Sequence, residues 1–129
     1  MIANRVSDLP AGLYRWNPDR GTLVLQERGA LGDRLVRVCL GQRKAASGAV
    51  AFVMVAPLGA EGRLGRTRLY RDLLIEAGAL GQRLYLAAEA AGIAARNLAA
   101  FVDDSLNRLL GEDGRSRAAV HLTMVGPGD

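Results

Sequence analysis

The chain has 129 residues, half of them hydrophobic, with a formal net charge of +4 and a pI near 10.0. That is enough apolar material for one packed domain over residues 1–129, and it excludes a disordered polypeptide. The longest apolar run, Ala49 to Pro57, is far short of the roughly 20 residues of a membrane span, and no charged-then-apolar leader opens the chain, so the expected location is the cytoplasm with no membrane partner.

Lys44 is the only lysine among 17 basic residues. Arginine forks suit oxyanions, and the run Arg63, Arg66, Arg68 and Arg71 reads either as an anion patch or as a solvated face. Aromatic residues make up 5% of the chain, too few for a base-stacking surface, so nucleic acid is not an expected partner. The single cysteine, Cys39, reads as a packing residue.

In chain order, Gly12 to Trp16 and Thr22 to Gln26 flank the turn-forming Asn17-Pro-Asp-Arg-Gly21 and predict a β-hairpin. Asp33 to Leu40 predicts a short helix ended near Gly41, followed by a Gly/Ala/Ser linker. Val50-Ala-Phe-Val-Met-Val55 is a β-branched, continuous apolar run, which predicts a central strand covered on both faces. Glycines from Gly59 to Gly65 predict a loop. From Thr67 to Ala91 apolar residues recur at three- and four-residue steps, the pattern of a long helix. Its small residues Ala77 to Ala79, Gly81, Ala87 and Ala88 predict close approach of another backbone, such as a helix of a second subunit. Ile93 to Phe101 reads as a short connection or strand, and Asp103 or Asp104 as the cap of a helix stopped by Gly111. The last predicted strand, Ala118 to Val125, places His121 and Thr123 on one face and Val120, Leu122 and Met124 on the other.

No P-loop, dinucleotide fingerprint, serine elbow or paired metal ligands occur, so no metal site is expected. His121, the one histidine, reads as solvent-facing or satisfied on its strand. Asp103-Asp104 reads as helix capping rather than an acid/base pair.

Leu9-Pro-Ala-Gly-Leu-Tyr-Arg-Trp-Asn-Pro18 resembles the hairpin of SagB-type dehydrogenases of the nitroreductase fold. Tyr70-Arg71, Glu76-Ala-Gly78, Gln82 and Leu84 to Ala90 followed by Gly92 are similar to that family's central helix, and Phe101-Val-Asp-Asp104 with Leu106 to Gly111 to its following segment. The resemblance implies an α+β fold, a mixed sheet with a long central helix, present here as the C-terminal half of the family's domain. It also implies an intertwined homodimer or a complementary protein subunit, flavin mononucleotide (FMN) as cofactor, and oxidation of azoline rings in a ribosomal peptide to azoles. Leu98, Ala99 and Ala100 would then lie against the flavin ring, and Arg63, Arg66, Arg68 or Arg71 would neutralise phosphate or a substrate carboxylate.

The family's N-terminal half, with its arginine-rich phosphate segment, is expected to precede the point where this sequence starts. Its lysine-tyrosine pair falls near Arg63-Leu-Gly65, its histidine after Glu-Ala-Gly is Ala79, and its glycine-containing turn is Leu98-Ala-Ala100. No catalytic residue can be named on these matches. The expectation is an oxidoreductase only in complex with a complementary chain; the alternative is a non-catalytic binding or scaffolding subunit with a degenerate nitroreductase fold.

Overall fold

The Asn17 side chain turns the hairpin: its Oδ1 accepts from the Arg20 amide at 3.1 Å, and Gly21 takes the left-handed conformation (φ 60) that only glycine adopts without strain. The hairpin so formed pairs β2 (Gly12–Asn17) with β3 (Thr22–Arg28). In the computed structural model, which describes residues 1–59 and 67–127, Arg63 and Arg66 and most of the expected glycine loop lie outside the described residues.

Four further strands complete one six-stranded sheet: β1 (Ile2–Ala3), β4 (Val50–Pro57), β5 (Ala94–Leu98) and β6 (Arg117–Gly126), in the order β3-β2-β1-β4-β6-β5. Every pairing among the described residues is antiparallel, where the resemblance implied a mixed sheet. The α+β class holds. The helices are α1 (Gly32–Val38), α2 (Lys44–Ser47), α3 (Thr67–Ala90) and α4 (Asp103–Leu110).

The core lies between one sheet face and α1, α2 and α4, where Ile2, Leu35, Leu106 and Leu122 are fully buried with Cys39 among them. Burial raises the pKa of the Cys39 thiol, as expected of a packing cysteine. The β4 strand is central, yet Phe52 to Val55 are only half-buried, so cover on both faces is incomplete.

Three local expectations change. The Gly/Ala/Ser linker contains the one-turn helix α2. The residue flanking α4 on its N-terminal side is Val102, with no side-chain cap, and Asp103 and Asp104 sit inside the first turn, where they complement the helix dipole. Met54 pairs with His121 but Val55 pairs with Ala119, so Val120 is the extra residue of a β-bulge; Ala119 rather than Val120 enters the core beside Leu122 and Met124. A bulge resets strict alternation.

Helix α3 crosses the opposite sheet face over β5 and β6. Its small residues do allow close approach, but of this chain's own sheet: a Cβ on Gly81 would stand 2.6 Å from His121 Nε2 and 3.4 Å from Asn97 Nδ2, whereas Gly78 faces open space. Ala77 and Ala88 are buried on the same side.

Candidate binding site

The site lies beside β1, between β2 and β4. Met1 and Tyr14 exchange both backbone hydrogen bonds at 2.8 Å, continuing the β1 ladder in which Ile2 stands opposite Leu13 and Ala51. Beyond Met1 the flanking strands run on, β2 to Asn17 and β4 to Pro57. Between them, and beneath the flank of α3, opens a cavity of about 570 Å³. Trp16, Leu23, Phe52, Met54, Leu80 and Leu84 give it an apolar lining. Trp16 is 57% exposed there, a large apolar surface for a tryptophan to present to water.

The charged groups of the lining are Arg15, Arg83 and Arg117 against Glu112. Glu112 follows Gly111, whose left-handed conformation (φ 72) closes α4, and this turn aims its carboxylate at the sheet. The Glu112 side chain is only 7% exposed and pairs with Arg15 at 2.8 Å and Arg117 at 3.2 Å. Such a nearly covered carboxylate needs its two guanidiniums, since an unpaired buried charge is costly. The pattern Tyr14-Arg15-Trp16 held a sequence signal for this cavity: strand alternation puts Arg15 on one face and the two aromatics on the other.

The residues assigned to flavin lie elsewhere. Leu98 is buried against the core, while Ala99 and Ala100 are exposed, and the Ala100 carbonyl accepts from Gln42 Nε2 at 3.1 Å. Arg68 and Arg71 are exposed at the start of α3. Arg71 precedes Gly81, the residue that meets Asn97 of β5, by ten positions, or roughly 15 Å of helix axis. Among the described residues no hydrogen bond or ion pair joins these arginines to the Leu98–Ala100 turn. Arg68 and Arg71 therefore do not converge with the Leu98–Ala100 turn on one flavin site among the described residues.

His121 was expected to be solvent-facing or satisfied. Instead its Nε2 is buried without a hydrogen-bond partner beneath α3, and burial lowers its pKa. Beside it Thr123 Oγ1 and Asn97 Oδ1 share a 2.7 Å hydrogen bond, and the Asn97 amide donates to Tyr85 Oη at 2.8 Å. These bonds fasten α3 to β5 and β6 beside the covered Nε2 of the imidazole. No grouping of metal-ligating side chains occurs among the described residues, and none of the described helices is long and apolar enough to cross a membrane.

The comparisons agree with this architecture. The protein assigned as a nitroreductase from Anabaena variabilis has a TM-score of 0.89 at 29% identity, covering 98% of this chain and 26% of that one. The Escherichia coli microcin synthetase McbBCD complex, solved with truncated pro-MccB17 bound, gives a TM-score of 0.75 at 22% identity over 90% of this chain and 44% of that one. The Bacillus subtilis ydfN protein, also assigned as a nitroreductase, gives 0.60 at 14% identity, covering 91% and 66%. No curated protein matches. This chain thus spans about a quarter of the Anabaena chain and under half of the matched chain in the synthetase complex. The nitroreductase family model, whose members generally use a flavin, matches residues 8–126, and the chain belongs to the nitroreductase family.

Proposed function

We propose that this chain is a subunit of an FMN-dependent, nitroreductase-like dehydrogenase of the SagB type, acting on a ribosomal-peptide-derived substrate in an azoline-to-azole oxidation. A complementary polypeptide, or a second copy, completes the flavin site. The observation that carries this reading is the separation, among the described residues, of the exposed Ala99–Ala100 surface from Arg68 and Arg71. Flavin supplies two-electron chemistry, and a protein supplies position and electrostatics; here the positioning groups are divided. Support for a peptide substrate comes from the synthetase neighbour, which was solved with a peptide precursor bound.

Titration of the purified chain with FMN, alone and then with the complementary polypeptide, tests the reading. The expected result is weak binding alone and the visible absorbance of a bound flavin in the complex. Stoichiometric, tight binding by the chain alone would overturn the divided site. A colourless but active complex would support the second reading, a non-catalytic scaffolding subunit. That reading draws on the burial of His121 Nε2, which takes one of the two ring nitrogens of the chain's single imidazole away from a substrate.

A further inference from the structure

A separate hollow, of about 290 Å³, opens where α1 and α4 lie side by side. Each helix lines it with residues at positions i, i+3 and i+4: Arg34, Arg37 and Val38 from α1, and Ser105, Arg108 and Leu109 from α4. That spacing puts each set on one helical face. Val38 and Leu109 belong to the buried core and so form the floor. Arg34 is half-buried, and Arg37 and Arg108 are exposed at the rim. The Val102 amide donates to the Val38 carbonyl at 2.9 Å, which holds the end of α1 against the start of α4. Packed helices therefore set the walls.

Three guanidiniums around one hollow repel one another unless an anion stands between them. Arg34 has one: its Nη1 lies 2.6 Å from Glu27 Oε1. Arg108 Nη2 donates to Ser105 Oγ at 3.2 Å. A hydroxyl that accepts still has its own proton to give, and Ser105 gives it to no group among the described residues. Arg37 makes no hydrogen bond or ion pair among the described residues. Asp33 and Asp104 stand one residue outside the lining on each helix, and neither forms an ion pair among the described residues. Two guanidiniums and one hydroxyl donor are thus left facing a shared space.

We infer that the hollow between α1 and α4 binds the phosphate group of a small phosphate monoester. Such a group carries close to two negative charges at neutral pH and three acceptor oxygens, which match the charges and donors left over by Arg37, Arg108 and Ser105. Guanidinium forks take phosphate oxygens in pairs. A carboxylate, with one charge, would neutralise one of the two arginines and leave the other. The volume is at the small end for ligand cavities, enough for a phosphate on a short carbon stem, and Val38 and Leu109 offer that stem an apolar floor. Every group in the site belongs to this chain, so the inference stands apart from the flavin reading above.

Inorganic phosphate and glycerol phosphate are titrated into the full chain at neutral pH, with chloride holding the ionic strength constant, and the arginine Nε–Hε signals are followed by NMR. Saturable shifts at Arg37 and Arg108 are expected with both probes, at millimolar affinity because the rim is open to salt. Arg37→Gln and Arg108→Gln should each weaken binding at least about fivefold. Arg37→Lys keeps the charge without the fork and should fall between native and Arg37→Gln. Arg20→Gln, in the hairpin turn, should leave binding unchanged, and urea midpoints check that every variant folds. Shifts that stay linear and spread over all exposed arginines, the sign of a solvated charged face, would overturn the site. So would acetate binding as tightly as phosphate, or inorganic phosphate binding while glycerol phosphate is excluded. A phosphoserine peptide that binds more tightly than glycerol phosphate would overturn the small ligand in favour of a protein partner.

Discussion

Gly81 lies directly over His121: a Cβ built on the glycine would stand 2.6 Å from the imidazole Nε2 and 3.3 Å from Cδ2. The contact is within one chain, so enlarging Gly81 acts on the fold and not first on an assembly. Gly81→Leu should lose roughly 1–2 kcal/mol, overpacking outweighing the gain in helix propensity. Gly78 meets nothing within 4 Å, so Gly78→Ala should gain about 0.5–1 kcal/mol. Urea midpoints of the two variants check this; equal shifts in one direction would refute the assigned helix face.

Asn107 is a buried polar residue, 5% exposed, whose Oδ1 accepts the Ala119 amide at 2.8 Å next to the β6 bulge. Asn107→Leu fills the space but leaves that amide without its acceptor, at a cost of roughly 1–3 kcal/mol. Asn107→Asp keeps an acceptor and should retain more of the stability. If leucine proves as stable as asparagine in chemical denaturation, the clamp has no energetic role.

The partly buried imidazole makes stability depend on pH. Because burial depresses the His121 pKa below its ordinary 6.5, the unfolded chain takes up the proton first. The His121 contribution to stability is then full above pH 6.5 and falls as the pH drops towards the folded value. Asp113 is held in its charged form by bonds from the Ser116 hydroxyl and the Arg115, Arg117 and Ser116 amides, and its contribution fades only in strong acid, below 3.8. The loss between pH 7.5 and 5.5 should therefore be smaller in His121→Gln than in the native chain. Identical losses in both would mean that the imidazole titrates freely.

Much of the fold is legible where a local pattern dictates it. Asn17 and Gly21 fix the hairpin, the β-branched run at Val50 to Val55 fixes a central strand, and the three- and four-residue spacing from Tyr70 to Ala88 fixes the long helix. What stays hidden depends on contacts distant in sequence. Two residues, Ile2 and Ala3, carry no strand pattern, and they pair only because Leu13 and Ala51 flank them. The bulge at Val120 arises from its register with β4. The same small residue, glycine, stands at positions 78 and 81, and only the direction of the helix axis over β5 and β6 separates an open face from a filled one. The cavity beside Trp16 and Glu112 shows in the sequence only as the alternation Tyr14-Arg15-Trp16 on one wall, since its walls join residues 96 positions apart.

The apolar stripe of α3 extends past the sheet that covers it. At 100° per residue, Tyr70 and Leu74 project to the same side as Ala77, Gly81 and Ala88, yet Tyr70 is 52% and Leu74 40% exposed while Ala77 and Ala88 are buried. Length explains the difference. The 24 residues of α3 span roughly 36 Å, whereas the five residues of β5 that return beneath it span about 17 Å. The N-terminal part of the helix overhangs, and its apolar side chains await a surface that this chain's described residues do not supply. Leu74→Gln keeps helix propensity close to that of leucine and removes partly exposed apolar surface, so it should change the stability of the isolated fold by under about 1 kcal/mol. Association with a second copy or with the complementary polypeptide should weaken far more, as expected when an exposed apolar patch is an interface. Gly78→Ala, on the same helix, should leave association unchanged. Light scattering across a dilution series, paired with urea midpoints for each variant, separates the two effects. A native chain that stays monomeric with and without the complementary polypeptide, or a Leu74→Gln variant that associates as tightly as native, would remove the overhang from the interface.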